Sequence, residues 1–237
     1  MPYVKDRTDL WRFTCEKRAG RFNITILSQK TPMNNATNTI KKGRRYEQVL
    51  NGARQVFMTD GFGGASVDKI AKVAGVSKAT LYSYFPDKRA LFTEVARNEC
   101  QRQADQAVAE ININASPDKV LRDAGEHMVG FVLSDISQRF YRICVAEADR
   151  FPELARDFYD SGPRVAKNVL ATYLELAKQR GELDFDDVDL AACQFCDLCK
   201  SDIFNKRLFG VQDSFTDAEI ARIIDGAVKM FLARYGV

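Results

Sequence analysis

From residue 41 onwards, apolar positions recur at helical spacing. Val49, Ala53, Val56 and Phe57 make a first stripe, which Asp60-Gly61 stops. Val67, Ile70, Ala71 and Ala74 follow at i, i+3, i+4 and i+7. Ser66 stands just before them, where its hydroxyl can accept a helix N–H. Gly75 breaks this helix. Ser77 then caps a short second one carrying Leu81 and Phe85, and Pro86-Asp87 ends it. A longer helix starts near Lys88 with Leu91, Phe92, Val95 and Ala96 inward.

The pattern stays helical to the end of the chain. Pro117-Asp118 opens a helix through about Leu133, and Arg139 to Ala148 form a shorter one. Phe151-Pro152-Glu153 starts a long helix with Val165, Val169, Thr172, Tyr173 and Leu176 on one face. Gly162-Pro163 kinks it and Gly181 ends it. Asp187 to Leu208 read as one helix. The last runs from Thr216, with Ile220, Ile223, Ile224, Ala227, Val228 and Phe231 as its stripe. No segment is read as alternating at period two, and no internal repeat is found. Residues 1–40 hold Trp11, scattered charges and a polar Thr31-Pro32-Met33-Asn34-Asn35 stretch, and read as a flexible extension. Met33 is itself a plausible start, which would leave the first 32 residues as an added segment.

The predicted class is therefore all-α, with a three-helix helix-turn-helix unit over residues 41–87 and a second helical domain over 88–237. At 237 residues, no disulfide is needed to hold such cores. No apolar run approaches the roughly 18 residues a membrane-spanning helix requires. Lys5, Asp6, Arg7, Asp9 and Arg12 interrupt any secretory segment, so a cytoplasmic location is expected, with the six cysteines as free thiols. Charge is unevenly spread. Residues 41–104 carry 12 Lys and Arg against 6 Asp and Glu, whereas residues 105–237 carry 16 against 23. A basic front and an acidic back suit a chain that docks a polyanion with one end, although charge can also drift along a sequence without purpose.

Residues Ser66 to Phe85 carry the chemistry. Two short helices joined at Gly75 make a helix-turn-helix, the glycine suiting the positive φ of the turn. Lys78, Thr80, Tyr82 and Ser83 point away from Leu81 and Phe85, so the second helix is polar outside and of a width that fits the DNA major groove. Arg44 and Arg45, with Lys41 and Lys42 before them, read equally as a phosphate-contacting arm or as a solvated helix start.

Three blocks resemble the TetR family of transcriptional regulators: Asp60-Gly61-Phe62, Ile70 through Lys78, and Leu81-Tyr82-Ser83-Tyr84-Phe85-Pro86-Asp87-Lys88-Arg89-Ala90-Leu91-Phe92. The resemblance implies that Thr80, Tyr82 and Tyr84 touch DNA, and that Ser66 and Lys88 hold phosphates. Phe151-Pro152-Glu153-Leu154, Phe158-Tyr159, Gly162-Pro163 and the stretch from Ala191 to Gly210 are similar to the C-terminal domain of AefR-like members. That likeness implies a homodimer whose last two helices pack as a four-helix bundle, and a ligand pocket in each C-terminal domain. Phe195, Cys199, Ile203, Ile220, Ile224, Val228 and Phe231 are the expected dimer interface.

Cys193, Cys196 and Cys199 recur every third residue on one helix. They read as small packing residues, as thiol sensors or as metal ligands. The last asks one ion to span about 9 Å along the helix axis, and no metal is expected. His127 is the only histidine, either structural or pocket-lining. With Phe131, Phe140, Tyr141, Phe158, Tyr159, Tyr173 and Phe195 it forms the candidate ligand set. No phosphate loop, nucleophile elbow or metal pair points to an enzyme, and no cofactor is called for. The expected function is a repressor that leaves a palindromic operator in double-stranded DNA when a small hydrophobic or amphipathic effector binds. A cysteine redox switch on the same scaffold is the alternative sensing mode.

Overall fold

The computed structural model describes residues 43–237 in full, and the backbone of residues 11–18 and 21–28. Strands β1 (Trp11–Arg18) and β2 (Arg21–Ser28) pair antiparallel, Trp11 opposite Ser28 and Arg18 opposite Arg21. This corrects the reading that nothing alternates at period two. Trp11, Phe13 and Cys15, and Phe22, Ile24 and Ile26, do alternate with polar residues. The hairpin backbone lies beside α4 and α8. The flexibility expected of residues 1–40 otherwise falls outside the described residues, as do Lys41 and Lys42.

Eleven helices follow among the described residues. The reading unit is α1 (Arg44–Gly64), α2 (Val67–Ala74) and α3 (Lys78–Tyr84). A long α4 (Lys88–Glu110) leads out of it to α5 (Pro117–Leu133), α6 (Asp135–Glu147), α7 (Pro152–Ser161), α8 (Pro163–Gln179), α9 (Val188–Lys200), α10 (Ile203–Leu208) and α11 (Asp217–Tyr235). Gly61 bends α1 near its end, at φ 70 and ψ −178. Gly52 lets α1 cross α2 closely: a methyl group there would stand 2.7 Å from Ala74 Cβ.

Two breaks differ from the sequence reading. Gly162-Pro163 splits the long helix into α7 and α8 instead of kinking it, because proline removes a donor and the Gly162 backbone is non-helical. The stretch read as one helix from Asp187 to Leu208 divides at Ser201-Asp202, where Asp202 takes φ 61. Thr216 and Glu219 open α11 with a reciprocal capping box.

The described chain has two cores. One joins Tyr46, Val49, Phe57, Ile70, Leu81 and Phe85 to Leu91 and Phe92 of α4, then to Phe140 and Cys144 of α6 and Leu154 of α7. The apolar interior of the reading unit thus extends past residue 87. The other core packs α5, α8, α9 and α11 around Leu121, Leu174, Phe195, Cys199, Ile224, Val228 and Phe231.

This second core takes up the residues expected at the dimer interface. Phe195, Cys199, Ile203, Ile224, Val228 and Phe231 are buried inside their own subunit and Ile220 packs against them half-buried. The stripe on α11 faces α5 and α9 of the same chain and is already covered there.

Candidate nucleic-acid interface

The turn is built by caps. Ser66 Oγ accepts the Lys69 N–H at 3.1 Å and starts α2. Gly75, at φ 66 and ψ 34, ends it in the left-handed region that favours glycine, and its N–H bonds the Ala71 and Lys72 carbonyls. Ser77 Oγ accepts the Thr80 N–H at 3.1 Å and starts α3. Leu81 is fully buried and Phe85 nearly so, which anchors α3 on its inner side. Lys78, Tyr82 and Ser83 are exposed on the outer side, and Thr80 and Tyr84 are half-buried.

Thr80 Oγ1 lies 2.9 Å from Ser77 Oγ. The Tyr84 ring meets Tyr46 edge-on at 5.6 Å between centroids, which orients it from α1. Lys78 pairs with Asp68, an exposed contact that a phosphate could replace. Arg44 and Arg45 are exposed at the start of α1, and Lys72 is exposed in the last turn of α2. None of the three meets a carboxylate among the described residues. Lys72 was not singled out from the sequence, where one lysine in an amphipathic helix looks like any solvated position.

Lys88, expected to hold a phosphate, has its partners within the chain here. Its ammonium donates to the Phe62 carbonyl at 2.6 Å and the Ala65 carbonyl at 2.9 Å, and lies 4.5 Å from the Phe62 ring centre. Burial lowers its pKa below the ordinary lysine value. In this arrangement the cation ties α4 to the end of α1 rather than facing outward.

The candidate ligand residues do not converge. Phe140 fills the reading-unit core against Phe92, and Tyr173 and Phe195 fill the second core. Tyr159 is exposed. His127 Nε2 lies 3.3 Å from Glu110 Oε2, and Phe131 is half-buried near the end of α5. Only Tyr141 and Phe158 meet, and Tyr141 also contacts Phe204 at 5.2 Å.

The cysteine helix does not show a primed thiol. Burial pushes the Cys196 thiol up to about 11 and Cys199 up to about 12, whereas a reactive thiolate needs the opposite shift. Cys193 is exposed. No group of three potential metal-ligating side chains occurs among the described residues, nor does any helix among them have the length and apolarity to cross a membrane.

A capped helix-turn-helix with an uncovered polar second helix, joined to a separately cored helical domain, defines a DNA-binding transcriptional regulator. Residues 49–95 match the tetR family of bacterial regulatory proteins, and residues 119–237 match the AefR-like transcriptional repressor C-terminal domain. The chain belongs to the TetR family. It is similar to the flavonoid-responsive regulator FrrA, at 34% identity, with 82% of this chain and 98% of that one covered and a TM-score of 0.67. A TetR-family regulator structure from Mesorhizobium loti is 26% identical, covering 83% of this chain and 99% of its own, with a TM-score of 0.71. The transcriptional repressor AcnR of Corynebacterium diphtheriae is 34% identical over 83 residues. That match covers 35% of this chain and 41% of AcnR, so the chain spans less than half the length of this relative. These relatives are regulators, not enzymes.

Proposed function

We propose that the chain is a cytoplasmic repressor that binds a palindromic operator as a homodimer and leaves it when a small hydrophobic or amphipathic effector occupies the C-terminal domain. The observation that carries this reading is α3: anchored by Leu81 and Phe85, it leaves Lys78, Tyr82 and Ser83 uncovered in the basic part of the chain. Phosphate contacts fall to Ser66, Lys78, Arg44 and Arg45, and base contacts to Thr80 and Tyr82. FrrA, 34% identical and covered over 98% of its length, is by its name flavonoid-responsive, which supports an effector.

With the α11 stripe buried, the dimer is assigned to the outer faces of α9 and α11. There Leu190 and Cys193 stand exposed on one helix, and Met230 and Ala233 on the other. Gly226 has open space where a side chain would stand, which permits close helix approach. In a two-fold dimer this face meets itself. The effector site is assigned to the neighbourhood of Tyr141, Phe158 and Phe204, with Phe131 on the adjoining helix.

Recovery of genomic DNA fragments by the purified protein tests the reading. Selection of one palindromic sequence, with affinity falling steeply as salt rises, supports it. Equal recovery of all fragments overturns it.

A further inference from the structure

A half-open cavity of about 340 Å³ lies between α1 and α6, walled by the apolar Phe57 and Ile143 and by Gly61, Asp135, Gln138, Arg139, Arg142 and Arg207. Three of these are guanidinium groups and one is a carboxylate, in the half of the chain that is otherwise net acidic. Arg207 is already compensated by Asp135 and Asp213. Arg139 and Arg142 are not. Three residues apart on α6, they share a helix face, and neither meets a carboxylate among the described residues. Arg139 donates to the Met58 carbonyl at 2.5 Å and Arg142 to the Arg207 carbonyl at 2.8 Å. Each guanidinium has five N–H groups, so each keeps donors for a ligand.

Gln138 is the second observation. It is 2% exposed, and its Nε2 donates to the Val132 carbonyl at 2.7 Å. Its Oε1 is buried with no hydrogen-bond partner, and Gln138 is one of the residues that line the cavity. A buried acceptor without a donor is uncommon and calls for an explanation.

We infer that this cavity binds a small hydroxylated anion, with its carboxylate or phosphate between Arg139 and Arg142 and its hydroxyl donating to Gln138 Oε1. Planar guanidinium forks match both oxyanions. A neutral apolar ligand would leave two arginines and the Gln138 carbonyl desolvated and unanswered. The volume lies at the small end of ligand sites, roughly 300–1,000 Å³.

Its place gives it a consequence. The cavity wall includes Gly61, where α1 bends, and Arg139, whose present partner Met58 belongs to α1. An anion that draws Arg139 away from Met58 changes how the reading unit is held against α6. Occupancy is thereby coupled to DNA affinity, by as much as the ligand prefers one arrangement over the other.

Calorimetry on the full chain, without DNA, tests the site with four probes: glycerol 3-phosphate, glycerate, glycerol and inorganic phosphate. One saturable site per chain is expected for glycerol 3-phosphate or glycerate, at least tenfold tighter than for glycerol. The tighter of the two anions names the oxyanion. The exposed substitution Arg142→Gln should weaken binding at least tenfold with an unchanged melting temperature. Gln138→Met should bring glycerol 3-phosphate close to inorganic phosphate in affinity. No saturable binding of either hydroxylated anion, or wild-type binding by Arg142→Gln, overturns the site. The regulatory consequence rests on the DNA-binding reading, but the binding does not. A chain that takes the anion and ignores DNA sinks that reading alone, and an operator-binding chain that ignores the anion sinks this one.

Discussion

The ammonium of Lys88 stands 2.6 Å from the Phe62 carbonyl oxygen, joining the first residue of α4 to the last turn of α1. Charge-assisted bonds of this kind outweigh neutral ones. Lys88→Met should therefore destabilise the protein by about 1–3 kcal/mol, seen as a lower denaturant midpoint. A lysine whose role was to hold phosphate would behave otherwise. The variant would keep its midpoint and lose about one from the salt slope of DNA binding.

Arg44 and Arg45 meet no carboxylate among the described residues, so a double change to alanine should leave the fold intact. Affinity for operator and unrelated duplex alike should fall, with the salt slope reduced by about one for each phosphate that the variant no longer holds. Tyr82→Ala should act differently, since Tyr82 lies on the outer side of α3: operator binding should drop more than nonspecific binding. Anisotropy titrations at several salt concentrations separate the two patterns, and equal losses for both duplexes in the Tyr82 variant would remove it from base recognition.

Ile224 and Met230 lie on the same helix and should respond oppositely to a charge. Ile224 is 3% exposed, and its Cγ2 lies 3.1 Å from where a Gly125 side chain would begin. Ile224→Glu places an unpaired carboxylate in the core and should unfold the protein. Met230 is 62% exposed, so Met230→Glu should fold normally and weaken the dimer. Circular dichroism with sedimentation decides. A well-folded Ile224→Glu monomer would restore the buried stripe as the interface.

Thiol accessibility follows burial. Of the five described cysteines, Cys100, Cys144 and Cys199 have thiols pushed up to about 12 by burial and Cys196 up to about 11, while Cys193 is exposed. At pH 8 those four remain protonated, the three buried ones also enclosed and Cys196 half-covered. A thiol reagent should modify Cys193 in minutes in the dissociated Met230→Glu variant but slowly in the wild-type dimer, whose face it shares, half-buried Cys196 slowly in both, and the three buried thiols only on unfolding, as peptide mapping would show. Rapid reaction at Cys196 or Cys199 would revive the redox reading.

The sequence made the reading unit legible because its signals are local. Ser66, Gly75, Ser77 and Pro86-Asp87 each act within one turn of the backbone they control. The break at Ser201-Asp202 was not legible, since neither residue is a glycine or proline and Asp202 takes its positive φ from its surroundings. Period two in the hairpin was present but lay in a segment read as a flexible extension, with the basic run Lys17-Arg18 and Arg21 between its halves. Ile224 and Val228 show a different limit. An apolar stripe announces that something covers it, and only the fold tells whether the cover is the same chain or another. The cavity between α1 and α6 was out of reach for the same reason, as Arg139 and Arg142 look like solvated residues until α1 is placed against them.

The last turn of α1 holds no basic residue of its own. Its carbonyl end, where the helix carries partial negative charge, is met instead by Lys88 from α4 at Phe62 and by Arg139 from α6 at Met58. The counter-charge for the reading unit is thus stored in the domain it reports to. A fragment ending at residue 87 loses both cations along with Leu91, Phe92 and Phe140 from its interior. Such a fragment should remain largely unfolded by circular dichroism, while one reaching through α7 should fold and bind DNA weakly. The head that reads DNA is in this sense unfinished until the helices behind it are in place.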